Sequence, residues 1–158
     1  MKELILLANM QDLENNQKNR KVVSAGGVVL WKRDNDIFIC LVKRRNKGVW
    51  ILPRGRVEEN EYMEETVIRE IKEETGIEAK IIKKIGVINY SFYSSKDKVT
   101  YDKVVHFYLL KLDKQQDFVP NQEIEEKIWV PLDKAKDILS YEAEKKIIDK
   151  VIEYFKKQ

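Results

Sequence analysis

The chain has 158 residues, 43% of them hydrophobic, which fits one globular domain with a buried core. Its 30 basic and 27 acidic residues leave a formal net charge of +3, too small to indicate a nucleic-acid or membrane surface. One cysteine excludes a disulfide within the chain and favours a reducing compartment. With a single histidine beside it, the chain also excludes a structural zinc site and histidine-triad nucleotide chemistry.

The N-terminal residues differ in composition from the rest, and we expect an extension over residues 1–20 followed by a single domain over residues 21–158. The only apolar run in the extension, residues 4–8, is too short for the core of a signal peptide, and Asp12 and Glu14 follow it. No segment approaches the length of a membrane span. We therefore expect a soluble, cytoplasmic protein.

Three strands are predicted before the first helix. Residues 22–31 form the first, and its Gly26 and Gly27 allow a close backbone approach or a bulge. Residues 37–43 form the second, whose nearly continuous apolar pattern, including Cys40, indicates burial on both faces. Residues 49–52 form a short third strand that Pro53 ends.

A helix of about 15 residues is predicted after the turn at Gly55. Asn60 is the predicted N-cap, because its short side chain can accept a hydrogen bond from a free N–H of the first turn. Gly76 is the predicted C′ residue, because glycine readily adopts the left-handed conformation that ends a helix. One side of the helix is apolar, which predicts packing against the domain. Its apolar residues are Met63, Val67, Ile68 and Ile71.

Strands and two helices are predicted in the second half of the chain. Residues 79–93, 101–112 and 127–130 are predicted strands, and residues 133–139 and 141–157 are predicted helices. The period of two places Val104, His106, Tyr108 and Leu110 on one face of the second of these strands. Strands flanked by helices on both sides in this order predict an α/β sandwich around a mixed sheet.

Three carboxylates in the second half of the first helix indicate a metal site. Glu70, Glu73 and Glu74 lie where the helix dipole disfavours negative charge, and they repel one another at spacings of three and four residues. Only Arg69 relieves that crowding. Converging carboxylates suit a hard divalent cation with oxygen ligands. The alternative is a solvated charged face, which is common in a chain that is 36% charged.

The segment from Gly55 to Ile77 resembles the 23-residue signature of the Nudix hydrolases. Gly55, Glu61 and the run REIKEETGI from Arg69 to Ile77 fill every fixed position. The resemblance extends over residues 22–154 and implies a Nudix-type α/β/α sandwich around a mixed sheet. It also implies an Mg²⁺-dependent enzyme, in which Mn²⁺ can substitute, that cuts a diphosphate linkage in a nucleoside diphosphate joined to another group.

The resemblance assigns roles to individual residues. The implied metal ligands are Glu70, Glu73, Glu74, Glu123 and the backbone carbonyl of Arg54. Glu123 lies six residues before Trp129, as in related subfamilies, and Glu125 and Glu126 are rivals for its role. Glu70 or Glu123 is the favoured general base, and Arg69 orients the carboxylates. Gly55, Glu61 and Gly76 are structural residues of the box.

Basic residues near the predicted site favour a polyphosphate substrate. Lys103 precedes a Val-Val-His-Phe-Tyr run in a pattern that resembles diadenosine tetraphosphate hydrolases, which implies phosphate contacts for Lys103 and His106. Each of these residues can also be structural. The full predicted substrate-binding set is Arg44, Arg54, Lys103, His106 and Tyr108. Candidates for stacking a base are Trp50, Tyr90, Tyr93 and Tyr108, each of which can instead pack in the core.

The predicted substrate is a nucleotide, most specifically diadenosine tetraphosphate cut into ATP and AMP. The same features occur in MutT-like enzymes that act on oxidised nucleoside triphosphates, which are the main alternative. Removal of pyrophosphate from an RNA 5′ end is less favoured because no basic-aromatic RNA surface is visible. A catalytically inactive nucleotide sensor is a further alternative, against which the intact glutamates of the box count. No membrane partner is expected, and the chain is expected to be a monomer or a homodimer.

Overall fold

A seven-stranded sheet carries the helices and the loops of the site. The structure, a computed structural model, describes residues 19–158. The predicted N-terminal extension therefore lies outside the described residues, except for Asn19 and Arg20, which begin the first strand. The strands are β1 (Asn19–Arg33), β2 (Asp36–Arg44), β3 (Trp50–Ile51), β4 (Arg54–Arg56), β5 (Ile77–Ser94), β6 (Val99–Gln115) and β7 (Ile124–Pro131). The helices are α1 (Met63–Thr75), a 3₁₀ turn (Leu132–Lys134), α2 (Ala135–Ile138) and α3 (Glu142–Lys156).

The sheet is mixed, as predicted. Its main strand order is β3-β2-β1-β6-β5, with β4 also paired to β1 and β7 to β2. β1 and β6 run parallel, from the pair Asn19 and Thr100 to the pair Leu30 and Lys111. The other pairings are antiparallel. Together with the helices on its two sides, this sheet confirms the predicted α/β sandwich.

Alternate residues of each strand point to opposite faces of the sheet, and each face has its own helices. On β1, Val28 packs on the face that α3 covers, whereas Val29 packs on the face that α1 covers. Cys40 is fully buried on the α1 side, as predicted for a core residue, and burial raises the pKa of its thiol to about 12. Within residues 19–158, no helix combines the length and apolarity that crossing a bilayer requires.

Helix α1 begins later than predicted, and Asn60 is not its N-cap. Tyr62 is the N-cap, and its backbone N–H donates to Oε1 of Glu65 at 3.2 Å. Asn60 lies instead in the preceding turn with a φ of 64°, a left-handed conformation that asparagine tolerates better than most residues. Glu58 O accepts from Glu61 N at 3.1 Å across that turn, which moves the helix start to Met63. The C-terminal prediction is confirmed, because Gly76 has a φ of 75°.

The two adjacent glycines of β1 let the loop before α1 lie directly on the strand. Gly27 N donates to Pro53 O at 3.1 Å. A Cβ on Gly26 would lie 2.6 Å from Pro53 O and from Arg54 Cβ, so only glycine allows this approach. Strand β4, which the sequence did not predict, continues this contact along β1.

Candidate active site

Three carboxylates from two distant parts of the chain line one small cavity of about 300 Å³ beside the Gly55 turn. Glu70 and Glu74 come from α1, and Glu123 comes from the segment before β7. The remaining lining residues are Arg44, Ile51, Arg54, Gly55, Arg56 and Lys103. The sequence had grouped these three glutamates from motif positions, and the fold brings them to one place.

Glu74 is the most deeply buried of the three carboxylates. It is 7% exposed, and its Oε2 accepts a hydrogen bond from the backbone N–H of Arg54 at 3.1 Å. Burial, with repulsion from Glu70 and Glu123, raises the pKa of Glu74 to about 8, against the hydrogen bond from Arg54. Burial also raises the pKa of Glu70, against its hydrogen bond from Arg69. Burial is thus the first cause of the raised pKa of both carboxyl groups, and repulsion from neighbouring carboxylates adds to it.

Arg69 contacts three acidic residues of the box. Its Nε donates to Oε2 of Glu61 at 2.7 Å, and its Nη1 donates to Oε1 of Glu70 at 2.7 Å and to Oε2 of Glu73 at 3.2 Å. The hydrogen bond from Arg69, followed by those from the Thr66 hydroxyl and the Glu58 backbone N–H, lowers the pKa of Glu61 to about 2. Arg69 thus links Glu61 to Glu70, and the structural role of Glu61 stays a prediction.

The residues of the small cavity fit a magnesium ion. Mg²⁺ is commonly held by one or two carboxylates, with water and substrate phosphate completing its shell, so a complete protein cage is not required. No three acidic, histidine or cysteine side chains within residues 19–158 form such a cage. Burial and repulsion between the carboxylates raise the pKa values of Glu70 and Glu74, and a divalent cation bound between them would favour their charged forms. The structure does not bring Glu73 into this cavity, since its side chain is 59% exposed and contacts Arg69.

A larger cavity of about 700 Å³ lies next to the acidic one. Arg44, Arg54 and Lys103 line both cavities and therefore lie at their junction. Burial and the nearby arginines lower the pKa of Lys103 to about 8. The other lining residues of the larger cavity are Lys47, Ile88, Asn89, Tyr90, Phe92, Tyr141, Glu142, Ala143 and Glu144.

An aromatic row extends from the larger cavity along strands β5 and β6. Tyr90 and Phe92 stack with ring centroids 6.2 Å apart, and Phe92 stacks with Tyr101 at 5.3 Å. Lys103 Nζ lies 5.9 Å from the centroid of the Tyr90 ring. The sequence analysis named Tyr90 but missed Phe92 and Tyr101. The spacing of two between Tyr90 and Phe92 was the signal that places both rings on one face of β5.

The structure does not bring His106 or Tyr108 to either cavity. Both follow Lys103 at odd spacing on β6 and therefore lie on the opposite face, where Tyr108 packs in the core beneath α1. Tyr108 Oη lies 3.4 Å from Oε1 of Glu64, and burial is the main cause that lowers the pKa of His106. Of the other stacking candidates, Trp50 packs against the core on the α3 side. Tyr93 follows Tyr90 by three residues and lies on the face opposite it.

Comparison with known protein families decides which family this site belongs to. The model of the NUDIX domain matches residues 20–152. The chain belongs to the Nudix hydrolase superfamily. The match covers the Nudix box, both cavities and the sheet that supports them.

Curated relatives of this Nudix chain are longer proteins. A Mycobacterium tuberculosis protein named as mutator protein MutT4 is 34% identical over 132 residues, which are 80% of this chain and 52% of the relative. An 8-oxo-(d)GTP phosphatase of Mycolicibacterium smegmatis is 26% identical over 149 residues, which are 88% of this chain and 44% of the relative. The chain thus spans about half the length of these curated relatives.

A solved structure agrees with the Nudix fold. The Ap4A hydrolase of Caenorhabditis elegans, in a binary complex, superimposes with a TM-score of 0.72 at 23% identity. The alignment covers 87% of this chain and 99% of that protein. At this identity the likeness shows the fold alone.

Within the Nudix box, we expect the substitution Gly55→Ala to remove activity while leaving the domain folded. A Cβ at this position would overlap the Glu70 carboxyl group, the flexible end of a side chain that can move aside. The movement takes Glu70 from the cavity without disturbing the core. Steady-state kcat and thermal unfolding, measured on the same preparation, check this. A variant with wild-type kcat, or one that loses kcat only as it unfolds, contradicts the expectation.

Proposed function

We propose that this chain hydrolyses a phosphoanhydride bond with the help of a divalent metal, and that its preferred substrate is a dinucleoside polyphosphate. Diadenosine tetraphosphate, cut into ATP and AMP, is the specific candidate. The observation that carries the proposal is the junction of the two cavities, where Arg44, Arg54 and Lys103 border the acidic cavity on one side and the aromatic one on the other.

The acidic cavity supplies the residues for anhydride cleavage. Glu70, Glu74, Glu123 and the carbonyl of Arg54 would hold Mg²⁺, with Glu73 as a further proposed ligand. When bound, the ion neutralises phosphate charge and makes a coordinated water more acidic. Glu123 is the better placed general base, because Oε1 of Glu70 is already bound to Arg69 at 2.7 Å. Water adds to one phosphorus atom, its proton passes to the carboxylate, and the bond to the leaving phosphate oxygen breaks.

The junction suits a phosphate chain that is longer than the acidic cavity. Each charge-assisted hydrogen bond to a phosphate oxygen is worth roughly 1.5–3 kcal/mol when desolvated. Phosphates beyond the metal would meet Arg44, Arg54 and Lys103, and the nucleoside beyond them would meet Tyr90 and Phe92. An aromatic face can stack any base, which fits a second nucleoside without demanding one base identity.

A pH dependence of substrate binding follows from the lowered pKa of Lys103. With a pKa of about 8, its ammonium group is mostly charged at neutral pH and mostly neutral at about pH 9. We expect KM for diadenosine tetraphosphate to rise several-fold over this range. In the Lys103→Arg variant the cation stays charged, so the rise should be absent. Identical KM profiles for both proteins would contradict a phosphate contact by Lys103.

A substrate panel tests the proposed function itself. The measurement is kcat/KM for diadenosine tetraphosphate, 8-oxo-dGTP and the ordinary nucleoside triphosphates, in one buffer with Mg²⁺ and with products identified. The proposal expects the dinucleotide to lead and ATP and AMP to appear. A tenfold preference for 8-oxo-dGTP, about 1.4 kcal/mol in transition-state binding, would establish the alternative instead.

The MutT-like alternative is favoured by a specific observation. The MutT4 protein and the 8-oxo-(d)GTP phosphatase cover most of this chain, at 80% and 88%, and the name of the second gives an oxidised nucleotide as its substrate. An absence of any hydrolysis on the whole panel, with tight binding of a nucleotide retained, would identify the chain as a sensor.

A further inference from the structure

The segment that leads into the Nudix box is held by hydrogen bonds along its length. Two of these hydrogen bonds join Trp50 and Ser140. Trp50 N donates to Ser140 Oγ at 3.0 Å, and Ser140 N donates to Trp50 O at 3.1 Å. Leu52 N donates to Oε1 of Glu144 at 2.7 Å. Arg54 N then donates to Oε2 of Glu74 at 3.1 Å. The start of α3 and the end of α1 thus hold the segment from two sides.

Glu144 is an unusual residue for the position that it occupies. Its side chain is 1% exposed, in the first turn of α3, and it lines the larger cavity. Oε1 is committed to Leu52, whereas Oε2 has no hydrogen-bond partner within the described residues and lies 3.8 Å from Nη1 of Arg54. The helix dipole favours a carboxylate in this turn, but a buried charge with only partial pairing still costs free energy.

That cost needs a compensating role, because an apolar side chain of similar size is often as stable in such a place. The carboxylate is also negative in a cavity whose other charged groups at the junction are positive, so it opposes phosphate binding there. A role in binding the phosphate chain is therefore excluded. The role left to Glu144 is in the geometry of residues 52–54.

We propose that Glu144 is a positioning residue that connects α3 to the metal-binding loop. By holding Leu52 N and facing the Arg54 guanidinium, it fixes both ends of the short Leu52-Pro53-Arg54 path. This keeps the Arg54 N–H on Glu74, the Arg54 carbonyl at the acidic cavity and the guanidinium at the junction. The inference rests on the proposed hydrolysis, because it assigns Glu144 to the loop of that same site.

Three substitutions separate the contacts that hold residues 50–54. Glu144→Ala removes both contacts of Glu144, with Leu52 N and with the Arg54 guanidinium, whereas Glu144→Gln keeps an oxygen that can accept from Leu52 N. Ser140→Ala removes only the hydroxyl that binds Trp50 N. The readouts are Mn²⁺ affinity by electron paramagnetic resonance without nucleotide, kcat and KM on the best substrate, and thermal unfolding. Residues that orient metal ligands typically contribute about 10–100-fold to metal affinity.

We expect Glu144→Ala to weaken Mn²⁺ binding and lower kcat by at least tenfold. Glu144→Gln should recover part of the loss, and Ser140→Ala should show a smaller loss in the same direction. KM for the polyphosphate should stay unchanged or fall, because the cavity loses a negative charge. Loss of fold alone would lower the active fraction but leave the Mn²⁺ affinity of the folded molecules unchanged.

Glu153→Gln is the matched control, since it removes one charge from an exposed position of the same helix. It should leave Mn²⁺ affinity and kcat at wild-type values. If both Glu144 variants and the control bind Mn²⁺ equally well, the positioning role is overturned. If Glu144→Ala does not fold, Glu144→Gln and Ser140→Ala decide in the same way. A wild-type chain that hydrolyses nothing overturns the proposed function, while the Mn²⁺ measurement still decides the role of Glu144.

Discussion

Replacing Glu74 with glutamine is expected to lower kcat by about 10²–10³-fold, the scale of losing one group that stabilises transition-state charge. Glutamine keeps the shape of the side chain and an oxygen that can accept from Arg54 N, so the loop stays in place. It removes the most deeply buried ionisable carboxyl group of the acidic cavity, which would carry a negative charge when a cation is bound. Steady-state kcat at saturating Mg²⁺, with Mn²⁺ affinity measured separately, gives the size of the effect.

A control just after the C-terminal end of α1 is Glu78→Gln. Glu78 follows α1 and forms an exposed ion pair with Lys72 at 3.1 Å, so its loss should change stability by less than about 1 kcal/mol and leave kcat unchanged. Activity of the wild type that persists undiminished in excess EDTA would disprove the metal assignment altogether.

Replacing Glu123 with glutamine is expected to lower kcat by about 10²-fold or more, the usual contribution of a positioned general base. The backbone of Glu123 is held on both sides of the residue. Its N–H donates to Oδ1 of Asn121 at 2.9 Å, and its carbonyl accepts from Arg45 N at 2.9 Å. The loop therefore holds Glu123 at the wall of the cavity that Glu70 and Glu74 also line. The kcat of the variant across the working pH range is the measurement.

The neighbouring acidic residues provide two controls for Glu123. Glu125 lies 3.7 Å from Lys43 Nζ in a surface ion pair, and Glu126 pairs with Lys43 along the ladder between β2 and β7. Neither lines the acidic cavity. Glutamine at either position should therefore change kcat less than twofold or so. A loss of rate in one of these variants, with Glu123→Gln at wild-type rate, would move the catalytic role to the other residue.

Features set by neighbours in the sequence were predictable. The end of α1 at Gly76 depends on one residue that tolerates a positive φ, and the apolar face of α1 depends on helical spacing. The start of α1 was predicted wrongly because Asn60 can serve either as a cap or as a left-handed turn residue. The hydrogen bond between Glu61 and Glu58, made in the folded turn, decides between the two.

The remaining features depend on contacts between distant parts of the chain. Glu144 reaches Leu52 across 92 residues, and no local pattern marks either as a partner of the other. Strand β4 forms because Gly26 and Gly27 let it approach β1, which periodicity in β4 itself does not reveal. For His106, the local pattern was the better guide. The period of two in a strand places Lys103 and His106 on opposite faces, and the structure keeps them apart. The resemblance had grouped both residues as phosphate contacts.

The parallel pairing of β1 with β6 has a consequence for the order in which the molecule folds. Asn19 pairs with Thr100 and Leu30 with Lys111, so the centre of the sheet closes only after β6 has left the ribosome. A nascent chain that ends at residue 98 contains the whole Nudix box, but α1 lacks Tyr108 and Leu110, two of the buried residues that it packs on. The Nudix box is one continuous segment of the sequence, but its folding requires contacts with a strand that comes later in the chain. A substitution outside the Nudix box that slows the pairing of β6 with β1 can therefore keep the box from reaching its folded arrangement.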